Sequence, residues 1–187
     1  MTAAATRVSA EQYERLALAE PDRFWELHDG LLVEKPVTTI DHNRAMRRLR
    51  RRLDLQLDPS QHEVEANVAR VRRGNASYFI PDLLVIPTVL ADALPRGVGA
   101  LEVYADPIPL VVEAWSPSTG GYDLTSKLPE YQRRGDREVW HLHPNDRTLT
   151  AWRRERDGRY SESLHRGGTI EPVALPGVTI DLDALFV

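Results

Sequence analysis

Apolar and polar residues recur along this chain with two different periods, which predict a mixture of helices and strands. A helical period of three to four residues runs through residues 9–20 and 41–57. In the second of these segments one face of the predicted helix carries His42, Met46, Leu49, Leu53 and Leu57. That face is apolar except for its histidine, so the helix is expected to lie against a core.

Shorter apolar runs predict strands, and proline or glycine marks the ends of most of them. The predicted strands are residues 62–73, 77–86, 110–115 and 137–143, with hairpins at 23–35 and 148–164. A loop rich in proline and glycine is expected at 87–109, and a helix at about 124–134 that Gly135 closes. The core order is therefore helix, three strands, helix, strand. It predicts an α/β (α+β) fold with a central mixed sheet, an added N-terminal helix and hairpin, and a C-terminal hairpin.

Length and composition narrow the class of protein. A chain of 187 residues is expected to form one domain, residues 1–187, with a substantial core. The absence of cysteine excludes disulfides, thiolate metal sites and a cysteine nucleophile. No apolar run is long enough for a membrane span, and the N-terminus lacks the apolar segment of a signal peptide, so a cytoplasmic location is expected.

The basic residues are unevenly divided between the two types. Of 24 basic residues only Lys35 and Lys127 are lysines, which leaves 22 arginines. A GC-rich genome would produce such a bias, and arginine replaces lysine readily on a solvated surface. Each remaining lysine therefore indicates a position where a compact point charge is needed.

Two acidic residues stand beside apolar strands. Asp82 lies in "FIPDLLVI" and Glu113 in "LVVEAW". An unpaired carboxylate in a dry site costs on the order of several kcal/mol, so each needs a positive partner or hydrogen-bond donors. If the strands are neighbours, the two acids could converge on one hard cation such as Mg²⁺. The alternative is that each caps a turn or pairs with an arginine.

With Lys127 added, the chain resembles the PD-(D/E)xK nuclease superfamily and, within it, the Uma-type restriction endonuclease family, long catalogued as a domain of unknown function. The resemblance covers a core of about residues 24–186. Its pieces stand in family order as "FWELHDGLLVEKP", the His42 helix, "IPDLLVI", "LVVEAWSPST", "DLTSKLPEYQRRGDREVWHLHP" and "LPGVTIDLDALF". No single piece is specific, but the ordered set is.

The resemblance implies a Mg²⁺-dependent endonuclease acting on DNA phosphodiester bonds, with Mn²⁺ as a possible substitute. Asp82, Glu113 and the backbone carbonyl of Ala114 would hold the metal, which would activate a water. Lys127 would orient or help deprotonate that water and stabilise the developing charge. Double-strand cutting with one site per chain would favour a homodimer.

The lysine departs from the commonest superfamily spacing. The position two residues after Glu113 holds Trp115, so Lys127 must reach the site from the following helix, as it does in the Uma-type family. Pro129 complicates that helix, because an interior proline costs about 3 kcal/mol. Either the helix starts late with Ser126 as its N-cap, or Asp123 is the cap and the helix is distorted.

Further candidates have structural alternatives. Glu26, His42 and Asp123 could support the site, but His42 could equally be a core histidine and Asp123 a plain helix cap. Glu34 could serve the site, or pair with Lys35 or an arginine. A metal site on one face of a strand is conceivable for His141 and His143, although the family usually has other residues there.

Arginines cluster on the second predicted helix and form a possible DNA contact. The strongest candidates are Arg44, Arg47, Arg48 and Arg51. They would supply salt-dependent affinity for phosphates, or they could be a solvated helix face balanced by the 28 acidic residues.

Two other functions stay open at this stage. One is a binding or regulatory protein that keeps the nuclease fold without the reaction. The other is a metal hydrolase of a small phosphoester.

Overall fold

Two principal β-sheets and the helices that cover them make up the fold, in a computed structural model that describes residues 7–117 and 120–186. The helices are α1 (Ala10–Ala19), α2 (Ile40–Asp54), α3 (Thr88–Asp92), α4 (Gly120–Tyr122) and α5 (Leu128–Arg134), with a π-helical turn, Asp123–Lys127, between the last two. The strands are β1 (Trp25–His28), β2 (Leu31–Glu34), β3 (His62–Glu65), β4 (Arg70–Arg73), β5 (Ser77–Phe79), β6 (Leu83–Pro87), β7 (Val103–Tyr104), β8 (Leu110–Ala114), β9 (Glu138–His143), β10 (Thr148–Arg154), β11 (Tyr160–His165), β12 (Thr169–Ile170) and β13 (Ile180–Asp181).

The larger sheet has six strands in the order β11-β10-β9-β8-β6-β3. Its neighbouring strands are antiparallel except for β8 and β9, which run parallel and are joined through the helical residues 120–134. Along the chain, α2 leads to β3, β6 and β8, then to α5 and β9. This confirms the predicted order of helix, three strands, helix and strand, and the mixed central sheet.

Two predicted strands are broken where the chain crosses between sheets. The segments 62–73 and 77–86 each contribute one strand to the large sheet and one to a second sheet with the order β2-β1-β5-β4-β7. The first break includes Asn67, whose φ of 58° is left-handed. The second contains Pro81, which has no N–H to donate to a sheet. The prediction of two continuous strands was therefore wrong, as was that of a bare loop over 87–109, where α3 and β7 form.

The two helices predicted nearest the N-terminus, α1 and α2, are confirmed. In α1 the Ser9 side chain accepts a hydrogen bond from the Gln12 backbone N–H, and the Gln12 side-chain oxygen accepts one from the Ser9 backbone N–H. In α2 the cap is Thr39, and the predicted apolar face buries Met46, Leu49 and Leu53. No helix in the described ranges is both long and apolar enough to cross a membrane.

The large sheet is covered on both faces, and this decides where the acids lie. Val112 and Ala114 of β8 belong to the core that contains the apolar face of α2. Val111 belongs to the other core, with Tyr131 of α5. Because side chains alternate along a strand, Glu113 shares the α5 face with Val111. The pairing of Leu83 with Val112 then brings Asp82, the residue before β6, next to the end of β8 that carries Glu113.

Candidate active site

Asp82 is held at the start of β6 by three groups from different elements. Its Oδ1 atom lies 2.7 Å from Lys35 Nζ and 3.4 Å from His42 Nε2. Its Oδ2 atom accepts a hydrogen bond of 2.8 Å from the Ala114 backbone N–H. The sequence predicts a role for the Ala114 backbone carbonyl, but the group of Ala114 that contacts Asp82 is its backbone N–H.

These neighbours keep Asp82 ionised despite its burial. Burial alone would raise its pKa. The ammonium of Lys35 and the imidazole of His42 outweigh that effect and hold the pKa well below its ordinary value. Asp82 is therefore a buried anion.

Glu113 and Lys127 meet directly, as the sequence predicts. Lys127 Nζ donates to Glu113 Oε1 at 3.2 Å, and the Tyr131 hydroxyl donates to the same oxygen at 2.5 Å. Both charged side chains are buried, with 4% of Glu113 and 1% of Lys127 exposed. Trp115 stands where the commonest superfamily spacing has a lysine, and Lys127 from the helix supplies the ammonium beside Glu113 instead.

Lys127 also contacts two of the acids that were candidates for supporting roles. Its ammonium lies 2.9 Å from Glu26 Oε1 and 3.4 Å from Asp123 Oδ1. Burial alone would lower the pKa of Lys127, but Glu113, Glu26 and Asp123 together raise the pKa well above its ordinary value. In this arrangement Lys127 is a fixed cation that can orient groups and stabilise charge, but it is not a proton acceptor.

The helix that carries Lys127 does not begin at either predicted cap. Helical backbone continues from Gly120 to Arg134, and Lys127 itself has helical φ and ψ of −77° and −48°. The turn before Pro129 is π-helical, with the Leu128 N–H donating to the Asp123 carbonyl, five residues back. Because Pro129 cannot donate to the carbonyl four residues back, a wider turn is the local solution. The Ser126 and Asp123 cap predictions were both wrong, yet Lys127 still points at Glu113.

The second sheet contributes two side chains to the same cluster. Glu26 on β1 accepts a hydrogen bond of 2.8 Å from the Ile80 N–H while it contacts Lys127. Lys35, which follows β2, donates to the Ile80 carbonyl and to Asn67 Oδ1, each at 2.8 Å. The site therefore lies at the seam where both sheets meet, at the break that contains Pro81.

Two members of the cluster were missed as site residues in the sequence. Tyr131 gives no signal, because a tyrosine on the inner face of a helix is ordinarily core. Lys35 did carry a signal, since it is one of the two lysines among 24 basic residues. Both lysines are buried in this one cluster.

The cluster carries more negative than positive charge, and this suits a divalent cation. Four buried carboxylates, on Glu26, Asp82, Glu113 and Asp123, face two ammonium groups. Burial raises the pKa of Glu113 to about 8, with Asp123 and Asp82 adding to the shift and Lys127 opposing it. The carboxylate donors are all oxygen, the ligand type that Mg²⁺ and Mn²⁺ prefer.

No ready-made cage of three or more His, Cys, Asp or Glu side chains occurs among the residues that the structure describes. A Mg²⁺ site does not need one, because this ion commonly takes one or two carboxylates and keeps several waters. The residues present therefore fit a Mg²⁺ or Mn²⁺ ion held by Asp82, Glu113 and a backbone carbonyl.

Access to the cluster is narrow on the helix side and wider near Lys35. A cavity of about 10 Å³ borders Glu113, Asp123 and His141. That space is no larger than one water molecule requires. A cavity of about 410 Å³ is lined in part by Lys35, Phe24 and Asn67. The wider opening of the cluster is therefore on the side of Lys35.

The histidine pair on β9 does not form a site of its own in the described structure. The rings of His143 and Trp115 stack with centroids 4.3 Å apart, and His143 Nδ1 lies 3.4 Å from Asp146. His141 is buried beside Glu113 in the sheet register, and burial, together with His143, lowers its pKa to about 4. Glu34 is also outside the cluster, because it forms an exposed pair with Arg23.

The arginines of α2 divide into two groups. Arg44 and Arg48 line a cavity of about 300 Å³ near the start of the helix. Arg47 and Arg51 are exposed and lie outside that cavity. Two of the four predicted DNA contacts therefore line this cavity and two do not, although their spacing places all four on one face of α2.

Comparisons with known proteins agree with this fold. The sequence profile of the Uma2 family, described as "Putative restriction endonuclease", matches residues 10–183. A crystal structure of a "putative nuclease belonging to DUF820" from Anabaena variabilis superimposes with a TM-score of 0.75 at 15% identity, covering 96% of this chain and 97% of the other. That likeness shows the fold. No curated protein matches the chain. The family resemblance seen in the sequence is confirmed, and the family description supports a nuclease-type function.

Proposed function

Because this chain belongs to the Uma2 family of "putative restriction endonucleases", we propose that it is a divalent-metal-dependent endonuclease that hydrolyses phosphodiester bonds of DNA. The observation that carries the proposal is the Lys127 ammonium, which lies within 3.4 Å of three buried carboxylates beside the pair of Asp82 and Lys35. Buried ionisable groups with opposing pKa shifts in one cluster are typical of catalytic sites.

Asp82 and Glu113 would hold a Mg²⁺ or Mn²⁺ ion, with the Ala114 carbonyl as a third ligand. When bound, such an ion lowers the pKa of a coordinated water and neutralises charge on the phosphate. Asp82 is the ligand that needs no proton loss, because Lys35 and His42 already hold it as an anion. Glu113, with its pKa raised to about 8, would release its proton as the ion binds.

Lys127 would act as an electrostatic group. Held as an ammonium by Glu113, Glu26 and Asp123, it can donate hydrogen bonds to the attacking water or to a phosphate oxygen. Charge that develops in the transition state is stabilised best by such a fixed donor in a buried site. Glu26 and Asp123 keep the ammonium in place, and Lys35 does the same for Asp82.

Cleavage of supercoiled plasmid DNA tests the proposal. The wild type should nick or cut the plasmid with Mg²⁺ or Mn²⁺ and lose that activity in EDTA. Asp82→Asn and Glu113→Gln should each lower the rate by roughly 100-fold or more, since a metal ligand is removed. The matched control is Glu34→Gln, which makes the same chemical change on an exposed carboxylate outside the cluster. Wild-type activity in Asp82→Asn would contradict the site.

The two lysines offer a readout of metal binding that does not depend on activity. Selective ¹⁵N labelling of lysine gives only two Nζ signals, from Lys35 and Lys127. Both contact the expected ligands, so Mg²⁺ should shift both signals, and Asp82→Asn should abolish or greatly weaken the response. Unchanged spectra at tens of millimolar Mg²⁺ would contradict the metal site.

The closed helix side of the cluster favours a second candidate, a binding protein that keeps the nuclease fold without the reaction. The space of about 10 Å³ beside Glu113 leaves no room for a phosphate. This candidate predicts no Mg²⁺ response and no cleavage. Turnover of a small phosphodiester such as bis(p-nitrophenyl) phosphate without DNA cleavage would instead indicate a small-molecule hydrolase.

A further inference from the structure

A basic cavity lies near the start of α2, apart from the carboxylate cluster. Its volume is about 300 Å³. Arg44 and Arg48 of α2 form one wall, and the turn after β9 forms another with Asn145 and Arg147. Asp41 is the acidic residue in its lining. Three guanidinium groups and an amide therefore surround a space large enough for a phosphate.

The cavity and the cluster lie at the same edge of the large sheet. Arg44 follows His42 by two residues, and His42 Nε2 is 3.4 Å from Asp82. On the other side, Leu142 of β9 pairs with Ala114, and the turn that carries Asn145 begins just after β9 ends. A strand of nucleic acid bound at Asp82 would thus run along this edge, where the cavity offers a place for another of its phosphates.

Two of the arginines of α2, Arg44 and Arg48, line the cavity. Arg44 and Arg48 are four residues apart and share a ridge of the helix. Arg48 Nη1 donates to the Leu185 carbonyl at 3.1 Å, which ties the helix to the C-terminal wall of the cavity. Arg47 and Arg51 form the adjacent ridge of the same helix face and, like Arg44, are exposed, but they do not line the cavity.

We propose that this cavity binds a backbone phosphate of the DNA substrate, with Arg44 and Arg147 as the contacting residues. This inference rests on the proposed function as a DNA endonuclease. It names the cavity as the site that holds the backbone of the DNA substrate. Neither guanidinium forms an ion pair with a carboxylate in the described part of the chain, and the nearby Asp146 lies beside His143 instead. A chain with a net charge of −4 needs such local positive charge to approach a polyanion, and a guanidinium fork matches phosphate oxygens in two places.

Arg147 offers a variant that removes the side chain without endangering the fold. Its φ of 54° is left-handed, a conformation that favours glycine. Arg147→Gly should therefore leave the melting temperature unchanged or raise it. If its melting temperature is kept, a loss of DNA binding in this variant cannot come from unfolding.

Binding of a fluorescein-labelled DNA duplex in EDTA, measured by anisotropy across salt concentrations, tests the proposal. Each lost phosphate contact should reduce the slope of log K against log salt by about 0.9. That slope corresponds to roughly eightfold weaker binding at 0.1 M salt. Arg147→Gly and Arg44→Ala should each show this loss. The matched controls are Arg47→Ala on the same helix and Arg156→Ala in a distant exposed turn, and both should keep the wild-type slope.

The outcomes separate this proposal from the proposed function. If the wild type cleaves DNA but Arg44→Ala and Arg147→Gly bind it with the wild-type slope, the cavity is not a phosphate site and the nuclease assignment stands. If Arg47→Ala loses as much as Arg44→Ala, the whole helix face and not the cavity makes the contact. If the two cavity variants alone lose slope while Asp82→Asn still cleaves, the phosphate site stands and the metal site fails.

Discussion

The Lys127 side chain holds three acids together, so its charge matters for stability as well as for the proposed reaction. Glu26, Glu113 and Asp123 all lie within 3.4 Å of its ammonium, and all four side chains are buried. Removing one partner of a buried ion pair leaves uncompensated charge, which costs more than the pair itself contributed.

Lys127→Met should therefore lower the free energy of unfolding by roughly 3–5 kcal/mol. Urea denaturation with a linear extrapolation measures this. The double variant Lys127→Met with Glu26→Gln should lose less stability than Lys127→Met alone, because one of the carboxylates left without its cation is gone. A double variant whose loss equals the sum of the two single losses would show that the two groups are not coupled.

At the residue scale, the sequence predicts the candidate site residues that belong to a recognisable strand or helix. It does not predict those that reach the site only through contacts between distant segments. Asp82, Glu113 and Lys127 could be predicted because each stands beside a recognisable strand or helix and their order resembles a known family. Lys35 lies 47 residues before Asp82 in the sequence. Their contact of 2.7 Å exists only because two sheets meet. Tyr131 could not be found, since its pattern is that of an ordinary core residue.

Among the secondary-structure elements, the π-helical turn orients the side chains of Asp123 and Lys127 toward the candidate site. It places Asp123 and Lys127 on the side of the helix that faces Glu113, directly before Pro129. Wide turns of this kind are rare and often occur at functional sites. Helix periodicity alone could not predict it, because the apolar pattern of residues 124–134 is also that of a regular α-helix.

Pro129→Ala removes the proline that we hold responsible for the π-helical turn. The alanine restores a backbone N–H that can donate to Thr125, so the melting temperature should stay the same or rise. If the turn relaxes toward an α-helix, Asp123 and Lys127 rotate relative to Glu113 and the rate of DNA cleavage should fall by roughly tenfold or more. Pro176→Ala, at an exposed proline outside the helix, is the control. Full activity in Pro129→Ala would show that the turn does not depend on the proline.

For the molecule as a whole, the site is the junction of two sheets and a helix. Glu26 and Lys35 come from the smaller sheet, Asp82 and Glu113 from the larger one, and Lys127 from the helical connection. The sequence predicted the element order but not this junction. Residues 62–73 and 77–86 keep an apolar pattern on both sides of each break, so nothing in the periodicity shows that they change sheets.

A metal bound at this junction should stabilise the whole fold. At a concentration 100 times its dissociation constant, an ion that binds only the folded state adds about 2.7 kcal/mol. For a chain of this size that corresponds to a rise of roughly 5–10 °C in melting temperature. Thermal denaturation with and without Mg²⁺ measures the shift, and Asp82→Asn should remove it while Glu34→Gln keeps it. A shift of equal size in all three proteins would place the ion elsewhere.

The burial of both lysines also determines how this protein reacts with reagents that modify amines. Lys35 and Lys127 are the only side-chain amines, and 7% and 1% of their side chains are exposed. Acylating reagents and amine cross-linkers therefore find no lysine on the surface of the described fold. Whatever labelling of lysine occurs in the folded protein reports the opening of the seam between the sheets.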